Sequence, residues 1–311
     1  MTGQYLVGRG VGLLTTLVAV SVLAFLLMHA VPGGPFDETH SPLPPAARAN
    51  ILHKYALDSP VWVQYGHYVW RALHGDFGIP YQSPTETVVA LLARVWPVTL
   101  LLGAIVVGLS FTLGLALGIL AALRHDSWLD TLLTFVATLG TTVPNFIVAI
   151  WLIVILRVRL HWLPTGGWGH ARLLIMPAIA YSLQPLAIVA RYTRVAVLDA
   201  LAGDYVRTAM AKGLSPTRVV VRHVLRNALI PIVTLLGPLV PDLFTGSIFI
   251  EFTFRIPGLG KFFVSSIFQR DYPMIMATIL LVAVLWSLTY LVSDLLYLVI
   301  DPRVRVGARG R

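Results

Sequence analysis

The stretch Asp204–Pro231, DYVRTAMAKGLSPTRVVVRHVLRNALIP, decides how the rest of the chain is read. It is polar and basic, with Arg207, Lys212, Arg218, Arg222 and Arg226 against one acid, Asp204, and it lies between two strongly apolar runs. Lys212-Gly213 marks the end of a short helix. A cation in the last turn suits the negative end of the helix dipole, and glycine can turn left-handed at no steric cost. Ser215-Pro216 marks a new start, with Ser as N-cap and Pro at the first helical position, where no N–H is needed. The expectation is helix, sharp turn, helix. In the second helix Arg218, Arg222 and Arg226 recur every four residues as a basic stripe, with Val220, Val221, Val224 and Leu225 largely on other faces.

The flanking composition says where this element sits. Of 311 residues, 57% are hydrophobic and 12% charged, which no ordinary soluble domain matches. Apolar runs of about 20 residues recur, the length that crosses a hydrocarbon core of about 30 Å. They fall at roughly Val11–Val31, Pro97–Leu123, Leu132–Leu156, Leu173–Val197, Leu229–Ile250 and Met274–Ile300. The fold class expected is an all-α polytopic membrane protein with six transmembrane helices. The first run is too long for the apolar core of a signal peptide and has no A-x-A-like site after it, so it is read as an uncleaved span.

Residues 1–31 then form the N-terminal end and first span. Residues 32–95 form a small, proline-rich extracytoplasmic insert between spans 1 and 2, too short to be an enzyme domain with its own core. Residues 96–311 form a five-helix core with a cytoplasmic loop at 199–228. With both termini inside, thirteen of the 23 Lys and Arg residues fall on the cytoplasmic side, seven of them between Arg191 and Arg226. The net charge of +9 is read as this positive-inside bias, not as nucleic-acid binding.

Other chemistry is missing. There is no Cys and no paired-His motif, so no metal site is expected. No phosphate loop and no G-x-S-x-G elbow occur. Asp294 stands out as the charge within a span, where a proton-coupled carrier would need several. Pro144, Pro177, Pro185, Pro238 and Pro241 interrupt or adjoin spans. Such breaks persist in a bilayer only where protein or a wet cavity satisfies the freed backbone groups. Gly114 and Gly118 have the spacing that permits close helix contact. The chain reads as a pathway without an engine, and its cytoplasmic loop as the handle for one.

Asp204–Gly213, followed by Arg222–Pro231, closely resembles the coupling-loop signature of ABC-importer permeases, in its peptide/nickel branch. The general signature is E-A-A, three residues, then Gly. Arg207, Thr208 and Ala209 stand at the E-A-A positions and Gly213 at the Gly, a departure habitual in the peptide branch. Further matches run in order along the chain: Pro32–Phe36, Lys54–Asp58, Gln64-Tyr65, His74–Gly78, Leu160–Trp168, Gly246-Ser247 with Glu251, Ile256–Gly260, Arg270–Pro273 and Asp301–Arg303. They are most like the B subunit of the oligopeptide permeases.

The resemblance implies a type I ABC importer permease in a bacterial or archaeal cell membrane. Its implied partners are a homologous second permease subunit, two cytoplasmic ABC ATPase subunits and an extracytoplasmic substrate-binding protein, with membrane lipid around it and a peptide as substrate. It is not itself an enzyme and carries no cofactor; ATP and Mg belong to the ATPases. Asp204, Tyr205, Arg207, Thr208, Ala209, Lys212 and Gly213 would form the ATPase-coupling loop, with Ala209 and Ala211 permitting close approach. Glu251, Pro257 and Gly258 would lie just beyond the fifth span as an outer gate or a contact for the binding protein. Trp62, Tyr65, Tyr68 and Trp70 would be either a docking face or the insert's own core. The arginine stripe is expected to hold anionic headgroups. The alternatives are nickel import within the same branch, an ion-coupled secondary transporter and an integral-membrane hydrolase.

Overall fold

The computed structural model describes residues 3–30, 57–81 and 85–300. Pro32–Phe36, Lys54–Ala56, Asp301–Arg303 and the side chain of Asp294 lie outside the described residues. Among the described residues the secondary structure is helical, with no strand. Two compact units are present, one from Met1–Val98 with Gly258–Ser287, the other from Thr99–Pro257 with Leu288–Arg311. The return of 258–287 to the first unit has no counterpart in the 1–31, 32–95 and 96–311 reading of the sequence.

In the first unit, α1 (Gly3–Ala30) is the first apolar run, and α2 (Val61–Leu73) is the described helix of the insert. Ala24 and Phe25 of α1 are buried with Met276 of α13 (Tyr272–Ile300), and Tyr65 and Tyr68 pack on that cluster. The insert's aromatic set therefore divides. Tyr65 faces inward, its hydroxyl 2.8 Å from Ser21 Oγ, while Trp62 and Trp70 are exposed. The amino-terminal part of α3 (Val88–Leu123) buries Val88, Leu91 and Val95 against Leu259 of α12 (Leu259–Phe268) and Met274.

The second unit holds the rest of α3, then α4 (Trp128–Thr142), α5 (Asn145–Leu152, continued by a π-helical stretch Ile153–Arg159) and α6 (Ala171–Leu201). The short α7 (Asp204–Ala211) follows. Next come α8 (Pro216–Val219), a π-helical turn Val220–Val224, α9 (Leu225–Thr234), α10 (Leu236–Thr245) and α11 (Ile248–Thr253).

Among the described residues four helices are long and apolar enough to cross a membrane: α1, α3, α6 and α13. Two expected spans, Leu132–Leu156 and Leu229–Ile250, are not continuous rods. The first is α4 and α5, bent by 104°; the second is the Pro216–Thr234 and Leu236–Thr253 pair, bent by 48°. Counting each bent pair as one span restores six. The cause of the sharper bend is local. Pro144 biases Val143 to an extended conformation (ψ 121°), which stops α4, and Pro144 then begins α5. At about 1.5 Å per residue each half is near 22 Å long, short of the bilayer core.

Close helix contact is real at the paired glycines. A Cβ on Gly114 would fall 2.8 Å from the Val189 side chain, and one on Gly118 2.5 Å from the Ala190 carbonyl oxygen, so α3 meets α6 backbone to backbone.

Candidate functional site

Two places in the second unit carry arrangements that packing alone does not require. The first is the loop at 204–228. Its turn forms as its sequence dictates: Lys212 ends α7, Gly213 takes φ +77°, and Leu214 N–H returns to the Ala209 carbonyl at 3.3 Å. Ser215 and Pro216 open the next helix from extended backbone at Ser215. Val206 and Ala209 are buried, joining Val197, Val219, Val224 and Ala228 in one apolar cluster. Tyr205 donates its hydroxyl to the Ala200 carbonyl at 2.8 Å, tying α7 to the end of α6.

The outer face of α7 is what remains: Asp204, Arg207, Thr208, Met210, Ala211 and Lys212, all exposed. The Asp204–Arg207 pair is long, 3.9 Å, between almost fully exposed side chains, and holds little in place. Sequence reading grouped Ala209 with this surface; the structure turns Ala209 inward and leaves Met210, which sequence reading passed over, among the outward residues. Arg218, Arg222 and Arg226 are exposed, as the four-residue spacing implied.

The second place is a cleft of about 320 Å³ among α5, α6, α10 and α11. Three helix interruptions meet at it. Asn145 sits immediately after the Pro144 bend, Pro185 lines it from α6, and Gly246, with φ +87°, ends α10 beside it. Pro185 lacks the N–H that would close the helical bond to the Tyr181 carbonyl, and Tyr181 lines the same cleft. Polar groups enter from Gln184, Asp242 and Ser247. A wet cavity is the surroundings in which broken spans are tolerated.

Charge within the spans is richer than Asp294 suggested. Arg194 of α6 grips Asp130 of α4 through two hydrogen bonds, 2.6 Å from Nε and 2.7 Å from Nη2, and Asp130 is buried. Asp242 faces the cleft from α10. An Asp beside Pro241 in an apolar run was the available signal for it. Glu251 is fully buried in α11 and accepts a hydrogen bond from Thr99 Oγ1 at 2.8 Å. It sits inside the helical packing, against Gly246, while Pro257 and Gly258 follow in the extended link to α12.

The chain matches the model for binding-protein-dependent transport system inner membrane components over residues 114–306. It is 39% identical over 307 residues to the dipeptide transport system permease protein DppB of Bacillus subtilis (strain 168), covering 99% of each chain. It is 37% identical over 304 residues to the oligopeptide transport system permease protein OppB of Escherichia coli (strain K12), covering 97% of this chain and 99% of that one. The oligopeptide permease protein AppB of B. subtilis is 38% identical over 311 residues. Among solved structures, a chain of the inward-facing MetNI methionine ABC transporter superposes with a TM-score of 0.58 at 19% identity, over 68% of this chain and 97% of that chain. That likeness concerns the fold.

Proposed function

The chain belongs to the family of binding-protein-dependent transport system inner membrane components, and on that premise we propose that it works as one permease subunit of an ATP-driven peptide importer. The observation that carries the peptide reading is near full-length identity of 37–39% to dipeptide and oligopeptide permeases. Nickel, carried by the same branch, has no such support among these relatives.

In this reading α7 is the mechanical link. Its inner face is anchored by Val206, Ala209 and Tyr205, and its outer face is free for a groove on an ATPase subunit. A short helix with its inner face packed moves as a rigid lever. Closure of the ATPases on ATP would pass through it to α6 and α8, whose ends it joins. The cleft on α5, α6, α10 and α11 is this subunit's share of the translocation path, and a homologous second permease supplies the other share. An extracytoplasmic binding protein delivers the peptide. Both termini lie in the cytoplasm, and the arginine stripe rests on anionic headgroups. Glu251 with the Pro257-Gly258 link would act at the outer gate, a reading its burial is compatible with.

The test is reconstitution. Affinity purification of this chain from its native membrane should bring down one sister permease and two ATPase subunits. The assembly in liposomes, with its binding protein, should accumulate labelled peptide only with ATP. Uptake by the chain alone, abolished by a protonophore, would make it a secondary carrier instead.

A further inference from the structure

We propose that the Asp242 carboxylate is a cation site on the translocation path, and that the group it takes is the α-ammonium of a peptide. The inference rests on the peptide-import reading and adds which part of the substrate the subunit holds.

Asp242 lies within one of the bent spans, where a carboxylate costs free energy unless it is paired or faces water for a purpose. Asp242 is exposed, and buried or clamped carboxylates elsewhere are satisfied: Asp130 by Arg194, Asp76 by Arg71, Glu251 by Thr99 and Asp271 by the Met274 N–H. Asp242 forms no ion pair among the described residues, and no Lys, Arg or His lines its cleft. Its own backbone carbonyl is taken, accepting from Thr245 Oγ1 at 2.8 Å and Tyr181 Oη at 3.4 Å, which leaves the carboxylate as its uncommitted acceptor. The negative end of the α10 dipole, at Thr245-Gly246, adds to that charge, while the positive ends of α5 at Asn145 and of α11 at Ser247-Ile248 line the same cleft and act against it. The cleft carries one acidic side chain and no basic one.

The surrounding groups indicate which cation. An ammonium offers three N–H donors. Asp242, Asn145 and Gln184 line one cavity and each has a side-chain oxygen able to accept, with Ser247, whose hydroxyl already accepts from the Ile250 N–H, beside them. A transition metal would look for imidazole or thiolate, and the cleft has no His and the chain no Cys. A volume of about 320 Å³ is at the lower end of ligand pockets and fits one end of a peptide, not the whole of it. The free amino terminus is also the cation that linear peptides of every sequence carry, as the carboxylate is their constant anion. A carrier that grips it need not read side chains.

The experiment uses the complete importer in liposomes, with two alanine tripeptides carrying a photoreactive diazirine residue either first or last. Illumination during turnover, followed by peptide mapping, should place the first-residue adducts on the Asn145, Asp242 and Ser247 neighbourhood and the last-residue adducts elsewhere. Asp242→Asn should reduce both that labelling and uptake at low substrate by about tenfold or more, the scale of one charge-assisted hydrogen bond. Asp242→Glu should recover most of both. Identical adduct maps from the two probes, or labelling and uptake unchanged in Asp242→Asn, would overturn the assignment. So would Ni²⁺ uptake that is lost in Asp242→Asn while peptide uptake is kept. A wild-type assembly that moves neither tripeptide would instead refute peptide import itself.

Discussion

Arg194 and Asp130, 64 residues apart, meet in a two-point hydrogen-bonded ion pair that joins α6 to the first turn of the bent span. The carboxylate is 5% exposed and the guanidinium 25%. Removing one partner of such a pair strands the other. Arg194→Ala should cost up to about 3–5 kcal/mol, because Asp130 stays buried with only the Asp126 N–H and the half-exposed His125 imidazole, 3.5 Å away, beside it. Asp130→Asn should cost less, since the arginine is closer to solvent. Thermal unfolding in detergent, with the double variant closing the cycle, checks both values.

The two faces of α7 should respond differently to the same chemistry. Arg207→Glu and Met210→Asp alter exposed residues. They should leave the protein folded in the membrane and reduce ATPase co-purification and ATP-driven uptake several-fold. Ala209→Asp puts a charge into the cluster of Val197, Val206 and Val219. It should destabilise the loop itself by several kcal/mol. Protease sensitivity of the 204–228 loop separates the two outcomes, which an acid at either position would otherwise share.

At Gly213 the penalty should be backbone only. A Cβ there would meet nothing within 4 Å, yet φ is +77°. Gly213→Val should therefore cost about 1–2 kcal/mol through the left-handed conformation, and Gly213→Asn much less. Hydrogen exchange across Lys212–Ser215 reads the difference.

Gly246 carries two constraints together. Its φ is +87°, and a Cβ would fall 2.5 Å from the Glu251 carboxylate and 2.8 Å from Thr99. Gly246→Ala should displace the Thr99–Glu251 hydrogen bond and lower thermal stability more than Gly213→Ala does. If the two alanine variants unfold alike, the contact with Glu251 is not the stronger constraint.

Acid should loosen the turn after α2. The Asp76 carboxylate accepts from the Gly78 N–H at 2.9 Å and from Arg71 Nε at 2.8 Å, and these bonds, the backbone one foremost, hold its pKa below the usual 3.8. A depressed folded pKa stabilises the turn above the unfolded value and the support is lost as pH falls through the folded one. Exchange protection of the Gly78 amide should be flat from neutral pH to about 4 and drop below it. Asp76→Asn should remove that acid dependence.

Much of the site could be read along the chain. The α7 turn, its glycine and the Ser-Pro restart depend on neighbours within a few residues, and local backbone preferences are written locally. The face of α7 was harder. Ala209 looks like a surface residue in a short polar helix, and only the packing of α6, α8 and α9 beneath it shows that it points inward.

Sequence by itself determined the apolar runs, the basic loop between two of them and the places where prolines interrupt the spans. Length and hydropathy suffice there, because the bilayer demands about 20 apolar residues per crossing. Only the tertiary structure decided that two spans are bent, that the break before Asn145, Pro185 and the α10 end at Gly246 meet at one cleft, and that Asp242 lines it while Glu251 closes against Thr99. The reason is rotational. A soluble helix advertises its inner face by amphipathicity, but a spanning helix is apolar toward lipid and toward its neighbours alike. Which side of it meets the cavity is settled by close contacts such as Gly118 on Ala190, between residues far apart in sequence.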